Sequence, residues 1–183
     1  PLVDSQVFEK ELLKENTEHS VQAFIKRYES EIFPFYRQKG LTKELITNDG
    51  FTLNCRIFSH PNSKGRIILV TGYNESHLKY AEVIYDLFQK GYSVYCYDHR
   101  GQGYSQKFTN QKARGYFEEF EQLVGDLEKF FHFTKTFEQD SQTPIYILAH
   151  SMGGAITTMA LAKDIISPTK VIVSSPLFGL NLG

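Results

Sequence analysis

Ile147-Leu148-Ala149-His150-Ser151-Met152-Gly153-Gly154-Ala155 is the stretch whose reading decides the fold. It begins inside a short apolar run, Ile145 to Ala149, of strand character. It then passes a hydroxyl residue and opens through small residues into a helix over Gly153 to Lys163. A strand that becomes a helix within a few residues needs a tight backbone with small neighbours. Gly153 and Gly154 meet that need on one side. On the other, Ala149 stands where the G-x-S-x-G pattern of such turns has its first Gly, a departure of one methyl group. This turn, a nucleophile elbow, lifts the Ser151 hydroxyl above the sheet edge, with a helix N-terminus beneath it that favours developing negative charge. The plainer reading is a Ser that caps a helix, and the surrounding sequence decides between them.

Working outward, strands and helices alternate. Arg66 to Val70 and Tyr92 to Tyr97 read as strands, and Lys170 to Val173 as another. Ser76 to Lys90 reads as a helix with Ala81, Ile84, Tyr85 and Phe88 on one face, ended by Gly91. Glu118 to Phe133 reads as a helix with Phe120, Leu123, Val124, Leu127, Phe130 and Phe131 inward. Strands alternating with helices indicate βαβ units around a parallel sheet. Before them, Lys43 to Thr47 and Phe51 to Phe58 alternate about the turn Asn48-Asp49-Gly50, which is hairpin chemistry. Residues 5–32 read as helical, one stripe running through Val7, Phe8, Leu12 and Leu13 and another through Val21, Phe24, Ile25, Tyr28 and Ile32. The polar stretch Glu15 to Ser20 can divide them, and Pro34 and Gly40 close the segment. The predicted organisation is an N-terminal helical segment, 1–40, and an α/β core, 41–183. An antiparallel hairpin that leads into a mostly parallel sheet with flanking helices points to the N-terminal portion of an α/β-hydrolase fold.

Two more loops follow strands. Leu69-Val70-Thr71-Gly72-Tyr73-Asn74-Glu75-Ser76-His77 leaves the first buried strand. An oxyanion hole in this architecture takes one backbone N–H from the residue after the nucleophile, Met152, and one from this loop, for which Tyr73 is the choice; Gly72 would let the backbone approach a substrate. The plainer reading is a strand-to-helix turn capped by Asn74 or Ser76. Tyr97-Asp98-His99-Arg100-Gly101-Gln102-Gly103-Tyr104-Ser105 follows the next strand. Here a structural role is expected, with Asp98 and Arg100 pinning the backbone and Gly101 and Gly103 allowing unusual dihedrals. The run lacks the third Gly and the helix start of a dinucleotide fingerprint.

Composition bounds the partners. The 183 residues are 41% hydrophobic and 22% charged with a net charge of −1, which gives no footing for nucleic acid. Six scattered His offer no metal-site spacing, so no metal or organic cofactor is expected. Cys55 and Cys96 fall in strands and read as two buried thiols rather than a disulfide framework. No apolar run approaches the roughly 18 residues of a membrane helix.

The run from Gly72 through Ser105, then Pro144 through Gly154, resembles the lysophospholipase and monoacylglycerol lipase branch of the α/β-hydrolases, also classed with serine aminopeptidases. It is most like the bacterial lysophospholipases associated with the inner membrane. The likeness continues through Ile165-Ile166-Ser167-Pro168 to Ser174-Ser175-Pro176, with departures at Thr71, where relatives carry His, and at Ala149. The resemblance implies a serine hydrolase that cleaves a fatty-acyl ester through an acyl-enzyme at Ser151. Its substrate would be a lysophospholipid, or else a monoacylglycerol, a small ester or a peptide. It also implies a cytoplasmic protein, with peripheral contact at the inner membrane face left open. In this fold the chain order is Ser, then Asp or Glu, then His. Yet all six histidines, His19, His60, His77, His99, His132 and His150, precede Ser151, and the sole acid after it is Asp164 in a predicted helix. The triad acid and base are therefore expected outside these residues. By itself the stretch is expected to turn over no ester and to be marginally stable or aggregation-prone; the rival reading is a non-catalytic fragment that serves as a binding or interaction module.

Overall fold

Arg66–Val70 and Ser93–Tyr97 are nearly unbroken apolar runs, and such strands need cover on both faces. The computed structural model, which describes residues 18–108, 115, 117–137 and 143–179, shows where the cover comes from. The N-terminal elements are α1 (Glu18–Arg27), a π-helical turn (Tyr28–Ile32) and α2 (Phe33–Lys39). The hairpin strands β1 (Leu41–Ile46) and β2 (Thr52–Phe58) follow. Then come β3 (Arg66–Val70), a 3-10 turn (His77–Tyr80), α3 (Ala81–Gln89), β4 (Ser93–Tyr97) and α4 (Phe120–Thr134). The last described elements are β5 (Ile145–His150), α5 (Met152–Ala162) and β6 (Lys170–Ser174).

The strands form one sheet in the order β1-β2-β4-β3-β5-β6. The hairpin joins it antiparallel through β2 and β4; β4, β3, β5 and β6 run parallel. This is the α/β class and the hairpin-to-parallel-sheet arrangement that the sequence predicts. Because β4 lies on one side of β3 and β5 on the other, the two crossover helices cover opposite faces. Leu69 of β3 packs with Phe58, Ile84, Val94 and Cys96 on the α3 face. Ile68 and Val70 pack with Tyr95, Leu127, Phe130 and Ile147 on the α4 face, where Met152, Ile156 and Ala160 of α5 join them. Cys55 belongs to the α4 face and Cys96 to the α3 face, so both remain free buried thiols. Burial pushes both thiols up from their ordinary range.

Three sequence expectations change. Pro34 does not close the N-terminal helix: the chain stays helical to Lys39. Proline at an interior helix position offers no N–H and crowds the carbonyl of the preceding turn. The ladder widens just ahead of it, with the Phe33 N–H bonding to Tyr28 O in π fashion, so Pro34 starts the next helix near its N-terminus, where no N–H is needed. Secondly, Val21, Phe24 and Ile25 are exposed; the helical segment reaches the core at Ile32 and Tyr36, in the same cluster as Phe58 and Ile84. Thirdly, α5 ends at Ala162, and Asp164 lies in the turn behind it with φ 53. The stripe at Val7, Phe8, Leu12 and Leu13 lies outside the described residues. No helix among the described residues is long and apolar enough to cross a membrane.

One buried cation ties distant parts together. Arg100, in the loop after β4, donates from Nε and Nη2 to both Asp126 oxygens of α4, at 2.8 and 2.7 Å. Its Nη1 donates to Asp49 Oδ2 in the hairpin turn at 2.8 Å, and the guanidinium lies over the Phe51 ring. Arg100 holds the Asp49 carboxyl well below its usual range. Removing one partner strands buried donors. Breaking a buried pair costs roughly 3–5 kcal/mol, and the retained Asp49 puts Asp126→Ala near the lower end, about 3 kcal/mol. Urea unfolding should show a matching drop in midpoint; an unmoved midpoint would mean the tie contributes nothing.

Candidate active site

Ser151 stands between β5 and α5 with φ 52 and ψ −118, a conformation that residues with a Cβ avoid. Its neighbours impose it. The Ser151 N–H donates to Ser174 O at the end of β6, and the Ser151 carbonyl accepts from Gly154 N and Leu177 N at 2.9 and 3.0 Å. The helix start then presses onto the end of β3: a Cβ on Gly153 would lie 2.4 Å from Val70 O and 2.5 Å from Thr71 O. Those neighbours are backbone and cannot yield, so position 153 admits only glycine. At Gly154 a Cβ would meet Val173 and Pro176. Met152 occupies the first position of α5, where the helix itself supplies no acceptor for the N–H.

The loop after β3 lies beside this turn, because β3 and β5 are neighbouring parallel strands. Its backbone is tied at successive points. Thr71 O accepts from His99 Nε2 at 2.9 Å, Gly72 N donates to Glu75 Oε2 at 2.7 Å, and Asn74, with φ 56, donates its N–H to Gln102 Oε1. Tyr73 sits between anchored amides. Ser76 caps the following 3-10 turn, accepting from Leu78 N. The space left by the missing Cβ of Gly72 is taken by Glu75 and His150: a Cβ there would be 2.8 Å from Glu75 Oε2 and 3.2 Å from His150 Nδ1.

In the loop after β4, Asp98 is fully buried. It accepts from His77 N at 2.7 Å and Tyr104 N at 2.6 Å, and from the Ser76 hydroxyl at 3.2 Å. Gly103, with φ 48, has no room for a side chain, since a Cβ would fall 1.9 Å from Asp98 Oδ2. Gly101, with φ 72, donates to Gln106 O and accepts from Gly115 N. Arg100 points away from Ser151's turn, toward Asp126 and Asp49.

The histidines near these loops have partners of their own. His77 Nδ1 bonds the Tyr36 hydroxyl at 2.5 Å and its Nε2 meets Asn54 Oδ1 at 3.0 Å. His99 bonds Thr71 O. His150 turns to the α3 face, where its Nδ1 lies 3.0 Å from the Tyr80 hydroxyl. Among the described residues no cluster of His, Cys, Asp or Glu has the makings of a metal site.

A cleft of about 960 Å³ opens at this end of the sheet. Tyr73 and Met152 stand at it, with Phe117, Phe120, Met159 and Leu177 along its apolar wall. Met152, Ala155, Met159 and Ala162 recur on one face of α5, so the wall follows that helix for about 15 Å.

Sequence reading missed Glu75, Tyr80 and Gln102, because their roles depend on which loops become neighbours. Asp126 carried a signal: an acid on the inward face of an otherwise apolar helix has to meet a buried cation.

The buried histidines set a pH dependence. Burial holds both His77 and His99 below the ordinary value of 6.5, against the pull of Asp98 on each and of the Thr71 carbonyl on His99. As pH falls through 6.5 the unfolded chain takes up protons that the folded chain refuses, so stability is full above that pH and declines below it. Glu75 is raised by burial, but bonds from Lys79, Tyr80 and the Gly72 N–H outweigh this and bring it to about 2. Its contribution, like that of Asp49, is present above the ordinary carboxylate range and lost as pH falls below it. Calorimetry across pH should therefore show Tm falling in two stages, one below 6.5 and a second below about 4.5. His99→Gln should shrink the first, leaving the His77 share; a Tm constant from pH 7 to about 5 would refute the assignment.

Comparison with known proteins agrees with this fold. Residues 61–183 match the family model described as serine aminopeptidase, S33. A probable lysophospholipase L2 of Haemophilus influenzae is 38% identical over 156 residues, 84% of this chain and 48% of its own length. Lysophospholipase L2 of Escherichia coli strain K12 is 30% identical over 114 residues, 62% of this chain and 33% of its own length. The chain thus spans a third to a half of the length of these curated relatives. A soluble variant of monoglyceride lipase from Saccharomyces cerevisiae, solved with a substrate analog, superposes with a TM-score of 0.63 at 22% identity, covering 75% of this chain and 46% of that one. That likeness is one of fold. With the family model covering most of its residues, this chain belongs to the serine aminopeptidase S33 family of α/β-hydrolases.

Proposed function

We propose that Ser151 is the nucleophile of a hydrolase that cleaves fatty-acyl esters, with lysophospholipids as the substrate class. The observation that carries this reading is the left-handed Ser151 backbone at the N-terminus of α5, whose next residue, Met152, lines the apolar cleft. A structural N-cap has no need of that conformation: a capping Ser lies in the extended region, as Ser76 does here. In this reading the hydroxyl attacks the ester carbonyl, and the N–H groups of Met152 and Tyr73 stabilise the oxyanion. The acyl chain lies along the α5 wall, and water releases the fatty acid from the acyl-enzyme.

The base that activates Ser151 and the acid that orients it are proposed to come from outside these residues. The histidines nearest the site bond Tyr36, Thr71 and Tyr80, and the aligned residues cover only a third to a half of the relatives' length, which leaves room for both groups. The 183 residues alone would then be inactive. Lysophospholipid is favoured because both curated relatives carry that name; monoacylglycerol is the second reading, favoured by the fold shared with the yeast lipase. Peripheral contact with a membrane fits either lipid.

A fluorophosphonate probe should label Ser151 in the full-length protein. Ser151→Ala should abolish labelling and lower kcat by about 10⁴-fold or more. Turnover by long-chain lysophospholipids should exceed that of short soluble esters. A preference for short esters would sink the lipid assignment, and full activity in Ser151→Ala would sink the nucleophile.

A further inference from the structure

We infer that Glu75 is a positioning residue of this site, whose carboxylate fastens the oxyanion loop to the nucleophile turn. The inference rests on the reading of Ser151 and Tyr73 given above. Its basis is a convergence on one oxygen. Glu75 Oε2 accepts from Gly72 N at 2.7 Å and from the Tyr80 hydroxyl at 2.5 Å. The same Tyr80 hydroxyl lies 3.0 Å from His150 Nδ1, and that nitrogen is 3.5 Å from Glu75 Oε2. Gly72 immediately precedes Tyr73, and His150 immediately precedes Ser151. One largely enclosed carboxylate thus holds the residue before Tyr73 directly and the residue before Ser151 through the Tyr80 hydroxyl. The other oxygen, Oε1, pairs with Lys79, four residues on in the 3-10 turn, which fixes the rotamer from the solvent side.

The local sequence is built around this contact. The carboxylate lies where a side chain at position 72 would go, so glycine is required there for a reason separate from substrate access. Glu75 is charged and largely enclosed, its side chain 11% exposed, and such a group holds its acceptor geometry firmly. Oxyanion donors act only when they lie within hydrogen-bond distance of the transition-state oxygen. A loop displaced by a fraction of an ångström therefore loses rate while substrate binding changes little.

The full-length protein carrying Glu75→Ala, Glu75→Gln, Glu75→Asp or Tyr80→Phe tests this, with turnover of a lysophosphatidylcholine per fluorophosphonate-titrated site. Glu75→Ala should lower kcat by about 10²-fold, the scale of one lost oxyanion donor, with KM within about threefold of wild type. Glu75→Gln should recover most of that loss, because its amide oxygen still reaches the Gly72 N–H. Glu75→Asp keeps the charge but is one methylene short, so its kcat should fall below that of Glu75→Gln. Tyr80→Phe, which removes the hydroxyl's bonds to Glu75 and His150 but leaves the Gly72 contact, should fall between wild type and Glu75→Ala. Wild-type kcat in Glu75→Ala would overturn the inference, and so would a Glu75→Asp enzyme equal to or better than Glu75→Gln. Should Glu75→Ala fail to fold, the order of Gln over Asp decides alone. A wild-type protein whose Ser151 takes no label would instead overturn the reading of the site, and the inference with it.

Discussion

A residue with a Cβ at φ 52 and ψ −118 is under strain of order 1–3 kcal/mol, and it persists only where the surroundings over-determine it. At Ser151 they do. The N–H is held by the end of β6 and the carbonyl by three amides further along, while Gly153 wedges the start of α5 against the backbone of β3. Relaxing the turn would lift α5 off β3 and uncover Met152, Ile156 and Ala160, which are packed against the α4 face of the sheet. The strain of one residue is therefore offset by burial along a whole helix, and the hydroxyl cannot retreat without undoing the packing beneath it.

The sheet topology explains why the loops meet. With β4 on one side of β3 and β5 on the other, the chain reverses its direction of winding at β3, and the loops leaving β3 and β5 splay to opposite faces. The crevice between them is where open α/β sheets leave room for ligands. The β4 loop closes this crevice from behind rather than entering it: Gln102 reaches the Asn74 amide, His99 reaches the Thr71 carbonyl, and Asp98 gathers Ser76, His77 and Tyr104. The proposed reacting geometry thus depends on side chains to which the proposal gives no part in the chemistry.

This division governs what could be read from the sequence. The strands β3, β4 and β5, the hairpin and the Ser151 turn are encoded by local pattern, because unbroken apolar runs, alternation and paired glycines each have one good solution. The contacts that set the loops are encoded between segments. Nothing in Thr71 to His77 alone shows that Glu75 folds back beneath Gly72, since that requires His150 and Tyr80 to arrive from β5 and from the turn before α3. Pro34 misled for a related reason: locally it ends a helix, but the π turn at Tyr28–Ile32 lets the chain continue so that Tyr36 can reach His77. Exposed Val21, Phe24 and Ile25 show the same limit, for helical periodicity gives the stripe and tertiary structure decides what it meets.

The apolar wall of the cleft and the amides at its end belong together electrostatically. Hydrogen bonds and helix-end dipoles act weakly on a charge in water, where the dielectric constant is about 80, and several-fold more strongly where apolar groups exclude solvent. Phe117, Phe120, Met152, Met159 and Leu177 bring no charge to the cleft, and among its described lining residues there is no Lys or Arg. A negative charge developing beside Ser151 would face the N-terminus of α5 across that apolar lining. The same apolar wall that would hold a hydrocarbon chain also strengthens the field at its polar end, so binding and charge stabilisation draw on one arrangement of side chains.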